Sequence, residues 1–467
     1  MANYKTPGVY IEEIAKFPPS IASVETAIPA FIGHTERATK RGEDVTGIPT
    51  RISSMLEYED YFGGSQKEQN IIVAIETVKG VNRLSADFDW SDGKGPSKHT
   101  MYYAMQQYFQ NGGGPCYIAS VGGYLDFGQT ISESAPFEKA LETLKKYDEP
   151  TLIVLPEGQS MDSGTYFGLV GSALNQCVEL KDRFVIMDIM HSGRGLKTDS
   201  DIKEAADAFR NSLQGDPEQV RYGAAYFPNI RSTFNYQFDD NAVKVRKNGS
   251  DMSFSQLNNA EKANARLEIN AFSIYLPPSA TIAGIYARVD NARGVWKAPA
   301  NESLFAVNGL SCNITDRAQE DLNVDVNAGR SINAIRAFTG RGIKVWGART
   351  LDGNDNEWRY VSVRRYFNFV EESVKKATWE FVFEPNDFNT WKRAKSMIEN
   401  FLVLQWRGGA LMGATPEQAF YVKVGLNETM TEIDVLEGRM IVEIGMAVVR
   451  PAEFIILRFS HKMLQET

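Results

Sequence analysis

The residues most able to do chemistry in this chain are four histidines, His34, His99, His191 and His461, and three cysteines, Cys116, Cys177 and Cys312. A metal site legible in sequence would place such groups at short spacing, as Cys-x-x-Cys or His-Glu-x-x-His, so that one turn or helix face aims two donors at one ion. Neither pattern occurs, and the histidines are too dispersed to suggest a metal site by spacing. The cysteines lie far apart and any pairing leaves one over, which argues against a disulfide framework and for buried packing in a reducing compartment. Two glycine-rich stretches invite a test for phosphate binding. NGGGPC, residues 111–116, precedes a strand instead of linking a strand to a helix, so it reads as a turn. HSGRGLKTD follows the strand RFVIMDI, the right position for a phosphate loop, but Leu196 follows Gly195 where Lys and then Ser or Thr are needed. Asp188 ends that strand beside His191, a placement seen in α/β active sites. An isolated Asp at such a point reads as a cap or turn residue, and no Gly-x-Ser-x-Gly elbow accompanies it. The expectation is a protein with no catalytic, cofactor-binding or metal residues, and hence not an enzyme.

The charge balance points the same way. Lys and Arg number 50 against 59 Asp and Glu, a formal charge of −9, with no dense basic block to attract a phosphate backbone. A local basic stretch, Arg336, Arg341, Lys344 and Arg349, reads as solvated loop charge. Nucleic acid is not an expected partner. No apolar run nears the roughly 20 residues that cross a bilayer, and the N-terminus, MANYKTPGVYIEEI, lacks a basic patch followed by an apolar stretch. Direct membrane insertion is not expected, and synthesis in a cytosol is.

The elements that would position any site divide the chain. With 43% of its 467 residues hydrophobic, two or three domains can each bury a core. From Cys116 to about Ile230, short β-rich runs alternate with helical stretches: CYIASV, FEKALETLKKY, TLIVLP, residues 161–180, RFVIMDI, DIKEAADAFRNSL and RYGAAYF. That alternation predicts βαβ units and a largely parallel sheet covered by helices. Residues 232–266 turn polar, as a long loop or decorated insertion would. Further on, Asp387 is the expected N-cap of a helix that places Trp391, Ala394, Ile398, Phe401 and Leu402 on one face and stops near Gly408 and Gly409. Thr415, Pro416 and Gln418 suggest a second helix with a capping box. A third, over residues 367–379, puts Phe367, Val370, Val374 and Ala377 on one stripe and leaves Glu371, Glu372, Lys375 and Lys376 to meet another protein.

Both chain ends offer strands in need of partners. Residues 8–14 read as a short strand with Val9 and Ile11 alternating against Tyr10 and Ile14, cut off by FPPS. Near the other end Met440, Val442, Ile444, Met446 and Val448 alternate with Arg439, Ile441, Glu443 and Gly445, and FIILRF, with Phe454 and Ile456, follows Pro451. Such strands pair either within one chain or with a neighbour's open sheet edge, and periodicity does not choose.

Several long stretches, in order, resemble the phage tail sheath family, including its members in bacterial contractile injection systems. TPGVYIEEI and VETAIPAFIGHTERA resemble its opening strands, and YFGG and YFQNGGGPCYI its next recurring segments. The resemblance is close over the first 35 residues and from Pro277 to Phe459, through PPSATIAGIYARVDNARGVWKAPAN, INAIRAFTGRGIKVWGARTL, WRYVSVRRYFNFVEESVKKATWEFVFEPND, RGGALMGATPEQAFYVKV and GRMIVEIGMAVVRPAEFIILRF, and weak over the middle domain. It implies an α/β and α+β multidomain chain: an arm over 1–25 donating a strand to a neighbour, a first core part over 26–100, an inserted outer α/β domain over 101–270, and a C-terminal core over 271–467. It also implies a helical homopolymer, with or without sister sheath proteins, around an inner tube, with baseplate and terminal cap proteins as further partners. Val9, Tyr10, Ile11, Ile14, Val442, Ile444, Met446, Val448, Phe454 and Ile456 become inter-subunit strand contacts, and Glu371, Glu372, Lys375 and Lys376 a tube contact. The resemblance implies an extended, metastable lattice that contracts without a nucleotide, made in the cytosol as part of a phage tail, an extracellular injection particle or a membrane-anchored system. The competing readings are an α/β enzyme with a scattered site, expected to be monodisperse and to bind a ligand, and a specialised sheath copy at the baseplate or cap.

Overall fold

The computed structural model describes residues 21–456 apart from 79, 80, 92–94, 326 and 328. In chain order its main elements begin with β1 (Pro29–Gly33), β2 (Thr50–Ile52), β3 (Ile71–Val78), β4 (Val81–Phe88), α1 (Met101–Gln110), β5 (Cys116–Ser120), α2 (Ala135–Leu144), β6 (Leu152–Val154) and α3 (Ser163–Leu180). They continue with β7 (Phe184–Asp188), α4 (Asp199–Ser212), β8 (Gly223–Phe227), β9 (Lys244–Lys247), β10 (Ser250–Ser253), α5 (Asn259–Asn270), α6 (Ser279–Arg293), β11 (Ile332–Phe338) and β12 (Gly342–Val345). The C-terminal part holds α7 (Val361–Thr378), α8 (Phe388–Arg407), β13 (Phe420–Lys423) and β14 (Glu443–Met446).

The predicted βαβ region folds as expected, into an eight-stranded sheet ordered β12-β11-β8-β7-β6-β1-β5-β2. Its six inner strands are parallel, and β2 and β12 close the two edges antiparallel. Strands buried on both faces must be apolar throughout, and β1, β5, β6, β7 and β8 are buried at every position. Alternate side chains divide between two cores. Ala30, Ile32 and Ala119 pack with Phe137, Leu141, Leu169 and Phe209 on one face; Phe31, Ile118 and Ile186 pack with Met105, Tyr108, Ile282 and Tyr286 on the other. Helices therefore cover both faces of a doubly wound sheet. The three cysteines are free and buried in this packing.

The boundaries drawn from the sequence at 100/101 and 270/271 cut through this sheet, because its central strand β1 and its strands β2, β11 and β12 come from the flanking regions. Sheet and helices belong to one compact unit, which holds Glu25–Phe369 and, of the described residues after it, 450–456. A second finding concerns the polar stretch 232–266, expected to be a long loop or a decorated insertion. It forms β9, β10 and α5, and β9 lies parallel to β3 in a four-stranded sheet ordered β10-β9-β3-β4. Only one residue in two needs to be apolar in a one-sided sheet, so Val243, Val245, Phe254 and Leu257 suffice, packed on Ile71, Val73 and Ile75.

Val370–Val449 belongs to a second, smaller unit. Its helix α8 begins as predicted, with the Asp387 side chain accepting from Thr390 N–H, and ends at Gly408, with Gly409 at φ 86°. Ala394, Ile398, Phe401 and Leu402 are at most 2% exposed, and each of the three larger side chains contributes about 1.5–3 kcal/mol by leaving water. Two expectations are corrected. α7 starts at Val361, six residues earlier than predicted. The helix at Pro416 is a single turn without the expected capping box: Thr415 makes no side-chain cap, and Gln418 Oε1 instead accepts from Ala414 N–H as the chain turns into β13.

Candidate functional site

The carboxyl ends of parallel strands around a switch in strand order are where α/β sheets hold ligands. Here that switch lies at β1, flanked by β5 on one side and β6 on the other, and the structure gathers there a trio that sequence spacing hid. His34 follows β1, Glu157 follows β6 and His99 precedes α1. His34 Nδ1 lies 2.8 Å from Glu157 Oε2, and His99 Nδ1 lies 2.9 Å from Glu157 Oε1, all buried. His34 N–H also donates to Glu157 Oε2. Burial pushes the Glu157 carboxyl up, but the two imidazole hydrogen bonds outweigh it and hold it below the ordinary value.

This is the one cluster of histidine, cysteine and carboxylate groups among the described residues with the proximity a metal ion needs, and a hydrogen bond on the far side of one ring sets the tautomer of His99. Leu125 N–H donates to His99 Nε2 at 2.9 Å, so the ring proton of His99 sits on Nδ1 and points at Glu157. The nitrogen facing the cluster carries hydrogen rather than a lone pair. The trio is a hydrogen-bonded lock joining three segments.

The other chemical candidates resolve similarly. Asp188, read from sequence as a cap or turn residue, makes a long-range contact instead: its Oδ1 accepts from Ser279 N–H at the start of α6. Its carboxyl is pushed up to about 7 by burial, against the opposing hydrogen bond from Ser279. NGGGPC is the turn from α1 into β5, with Gly112 at φ 98° against Arg288. In HSGRGLKTD the first turn of α4 is closed by its own capping box, Thr198 with Asp201, so those amides do not face a phosphate.

The surface is where the chain is unusual. Among described residues, Val370–Val449 exposes Trp379, Val382, Phe383, Phe388, Leu404, Met412, Tyr421, Leu426, Ile433, Leu436 and Ile441, whereas the much longer Glu25–Phe369 exposes only six large apolar side chains. Phe383 is fully exposed and sits at φ 69°, a left-handed conformation that a bulky residue rarely adopts. Large exposed apolar side chains are thus concentrated on this stretch of the chain among the described residues.

Comparison with known proteins identifies the architecture. A family model for the phage tail sheath C-terminal domain matches residues 353–462. The chain is 32% identical to one in the anti-feeding prophage helical sheath in its contracted state, over 98% of this chain and 100% of that one, with a TM-score of 0.65. The chain belongs to the phage tail sheath family. This sheath protein is also similar to a chain of the PVC extracellular contractile injection system sheath in its contracted state, at 29% identity over 99% of both chains and a TM-score of 0.65. It resembles a chain of the anti-feeding prophage baseplate at 31% identity over 98% of this chain and 100% of that one, with a TM-score of 0.66. Among curated proteins it matches the tail sheath proteins of Burkholderia phage BcepMu, at 28% identity over 147 residues, and Enterobacteria phage T4, at 28% over 138. Those matches span 29% and 20% of the phage proteins' own lengths.

Within the sheath protein, the sequence-predicted contacts fall in three groups. Val9, Tyr10, Ile11 and Ile14 lie outside the described residues. Val442, Ile444, Met446 and Val448 sit on or beside β14, shorter than the predicted strand, which pairs antiparallel with β13 in the same chain: Ile444 faces Val422, and Val448 bridges to Leu411. The within-chain pairing left open by the sequence is thus realised on one edge of β14; no other strand joins this two-stranded sheet among the described residues. Phe454 and Ile456 are 71% and 78% exposed, in a described segment without strand pairing. The charged face of α7 is altered too. Glu371 is exposed, but Glu372 is 7% exposed and bound by Lys375 at 3.1 Å and Lys376 at 3.4 Å. Glu372 is therefore an internal counter-charge and not an outward-facing contact.

Two arginine sites escaped the sequence reading. Arg365 is buried in a bidentate pair with Asp290, at 3.1 and 2.6 Å; Thr26 Oγ1 donates to the same carboxylate, and Thr26 O accepts from Arg365. Arg349, read as solvated charge, is 4% exposed and binds Glu453. Both partners are too distant in sequence for a spacing rule.

Proposed function

We propose that this contractile-sheath subunit polymerises around an inner tube in an extended, metastable helix and contracts to drive the tube through a target envelope. The observation that carries the reading is the crowding of large exposed apolar side chains on Val370–Val449 and the segment after it. Repeated head-to-tail burial of such a surface yields a helix instead of a closed ring when the rotation does not close. The strand edges of β13 and β14 are available for pairing, and the N-terminal arm and the segment from Phe454 supply strands for neighbouring copies. Free energy for contraction comes from packing between subunits, so no nucleotide chemistry is assigned and the subunit is not an enzyme. The inner tube, baseplate and terminal cap are the remaining partners, with Glu371, Lys375 and Lys376 as the tube-facing charges. Assembly takes place in the cytosol before release as an extracellular particle.

The test is sedimentation of polymers from the full chain and from a Phe383→Ser, Leu436→Ser variant. Both variant positions are solvent-exposed, so the monomer is expected to stay folded while pelletable polymer falls at least about tenfold. Equal polymer from both would contradict the assignment of this surface. A second reading, a baseplate-proximal sheath copy, is favoured by the similarity to a baseplate chain. Copy number per particle separates the two: a few per particle for a baseplate copy, a large multiple of that for the main sheath.

A further inference from the structure

The segment that carries Phe454, Ile455 and Ile456 does not leave the molecule unrestrained. One residue before it, the Glu453 carboxylate accepts five hydrogen bonds. Arg349 Nε donates to Oε1 at 3.0 Å and Oε2 at 3.2 Å, and Arg349 Nη2 to Oε2 at 2.7 Å. Asn323 Nδ2 donates to Oε1 at 2.9 Å and the Tyr360 hydroxyl to Oε2 at 3.0 Å. Arg349 is itself held, with Nη1 donating to the carbonyls of Asn323 and Gly353, and its backbone N–H donating to the buried Asn333. A bidentate guanidinium–carboxylate pair fixes direction as well as distance, which a lysine would not. The next three side chains are more than 70% exposed. Three residues, Arg450, Pro451 and Ala452, separate the clamp from Val449, where the smaller unit ends.

We propose that Glu453, clamped by Arg349, is the positioning residue that anchors the root of the C-terminal segment on the α/β unit, so that the strand offered to a second copy of this chain starts at Phe454 in a fixed direction. This rests on the reading that residues beyond Glu453 engage a neighbouring subunit. The clamp makes the α/β unit the place where a neighbour's pull on the segment is borne. Its partners, Asn323, Arg349 and Tyr360, all lie in Glu25–Phe369.

The experiment compares the full chain with Glu453→Gln and with a chain ending at Glu453. Chymotrypsin cutting after Phe454 in the unassembled chain reads the clamp without assembly; yield of pelletable polymer reads its consequence. Glu453→Gln is expected to speed cutting severalfold and to lower polymer yield about tenfold, with overall unfolding unchanged. The chain ending at Glu453 is expected to give no polymer. Equal cutting in Glu453→Gln and the parent would overturn the clamp. Faster cutting with undiminished polymer, while the truncated chain fails to assemble, would overturn its positioning role. Undiminished polymer from the truncated chain would instead overturn the reading of the segment as a strand donor.

Discussion

At the scale of single residues, the chain's buried ionic groups hold its segments together. Removing one partner of a buried pair leaves an uncompensated charge, so Asp290→Ala is expected to cost about 3–5 kcal/mol of stability in urea unfolding, against about 0.5 kcal/mol or less for Lys375→Ala on the surface. Asp188 gives a pH signature. Its folded pKa of about 7 lies above the ordinary 3.8, so between those values the folded chain holds a proton that the unfolded chain has released. Its contribution to stability therefore falls as pH rises through that window and levels off above it. Asp188→Asn keeps an acceptor for Ser279 N–H and removes the charge. The variant should gain on the parent between pH 5 and pH 8; a gap independent of pH would contradict the assignment. Phe383 supplies a test of surface against core: Phe383→Gly removes an exposed ring and relieves a left-handed backbone, so the folded monomer should be as stable as the parent or slightly more so while assembly weakens. These residues were the least legible in sequence. His34, His99 and Glu157, or Arg349 and Glu453, meet only because the sheet and the chain end bring distant segments together, whereas the local cap at Asp387 could be read from its neighbours.

At the scale of elements, legibility followed locality. The βαβ alternation from Cys116 to Ile230 and the buried face of α8 depend on residues a few positions apart, and both were readable. The polar stretch 232–266 was not, because β9 draws its stability from β3, some 170 residues upstream, and needs only Val243 and Val245 turned inward. The choice between intrachain and interchain pairing for β14 was likewise beyond periodicity, since an alternating strand is equally suited to either. β13 decides it for one edge. Ile398→Ala in α8, at a position with no exposure, is expected to destabilise the chain by about 2–5 kcal/mol, measured by denaturant unfolding.

At the scale of the whole molecule, the contrast is between two surfaces. Glu25–Phe369 exposes six large apolar side chains among its described residues, and at the carboxyl end of β1 the His34–Glu157–His99 hydrogen bonds join three of its segments. Val370–Val449 exposes eleven large apolar side chains, and family membership and fold place the chain among contractile sheaths. The resemblance legible in the C-terminal motifs extends across the whole chain in the structural comparison, including the middle region where sequence alone was weak. The most direct test of the central claim, that this chain works by forming an interlinked polymer, is negative-stain electron microscopy of the purified full chain and of one lacking residues 1–20, each with its cognate tube protein. Hollow striated tubes from the full chain and none from the shortened one are the expected result. Monodisperse particles from both, or tubes of equal abundance from both, would contradict it.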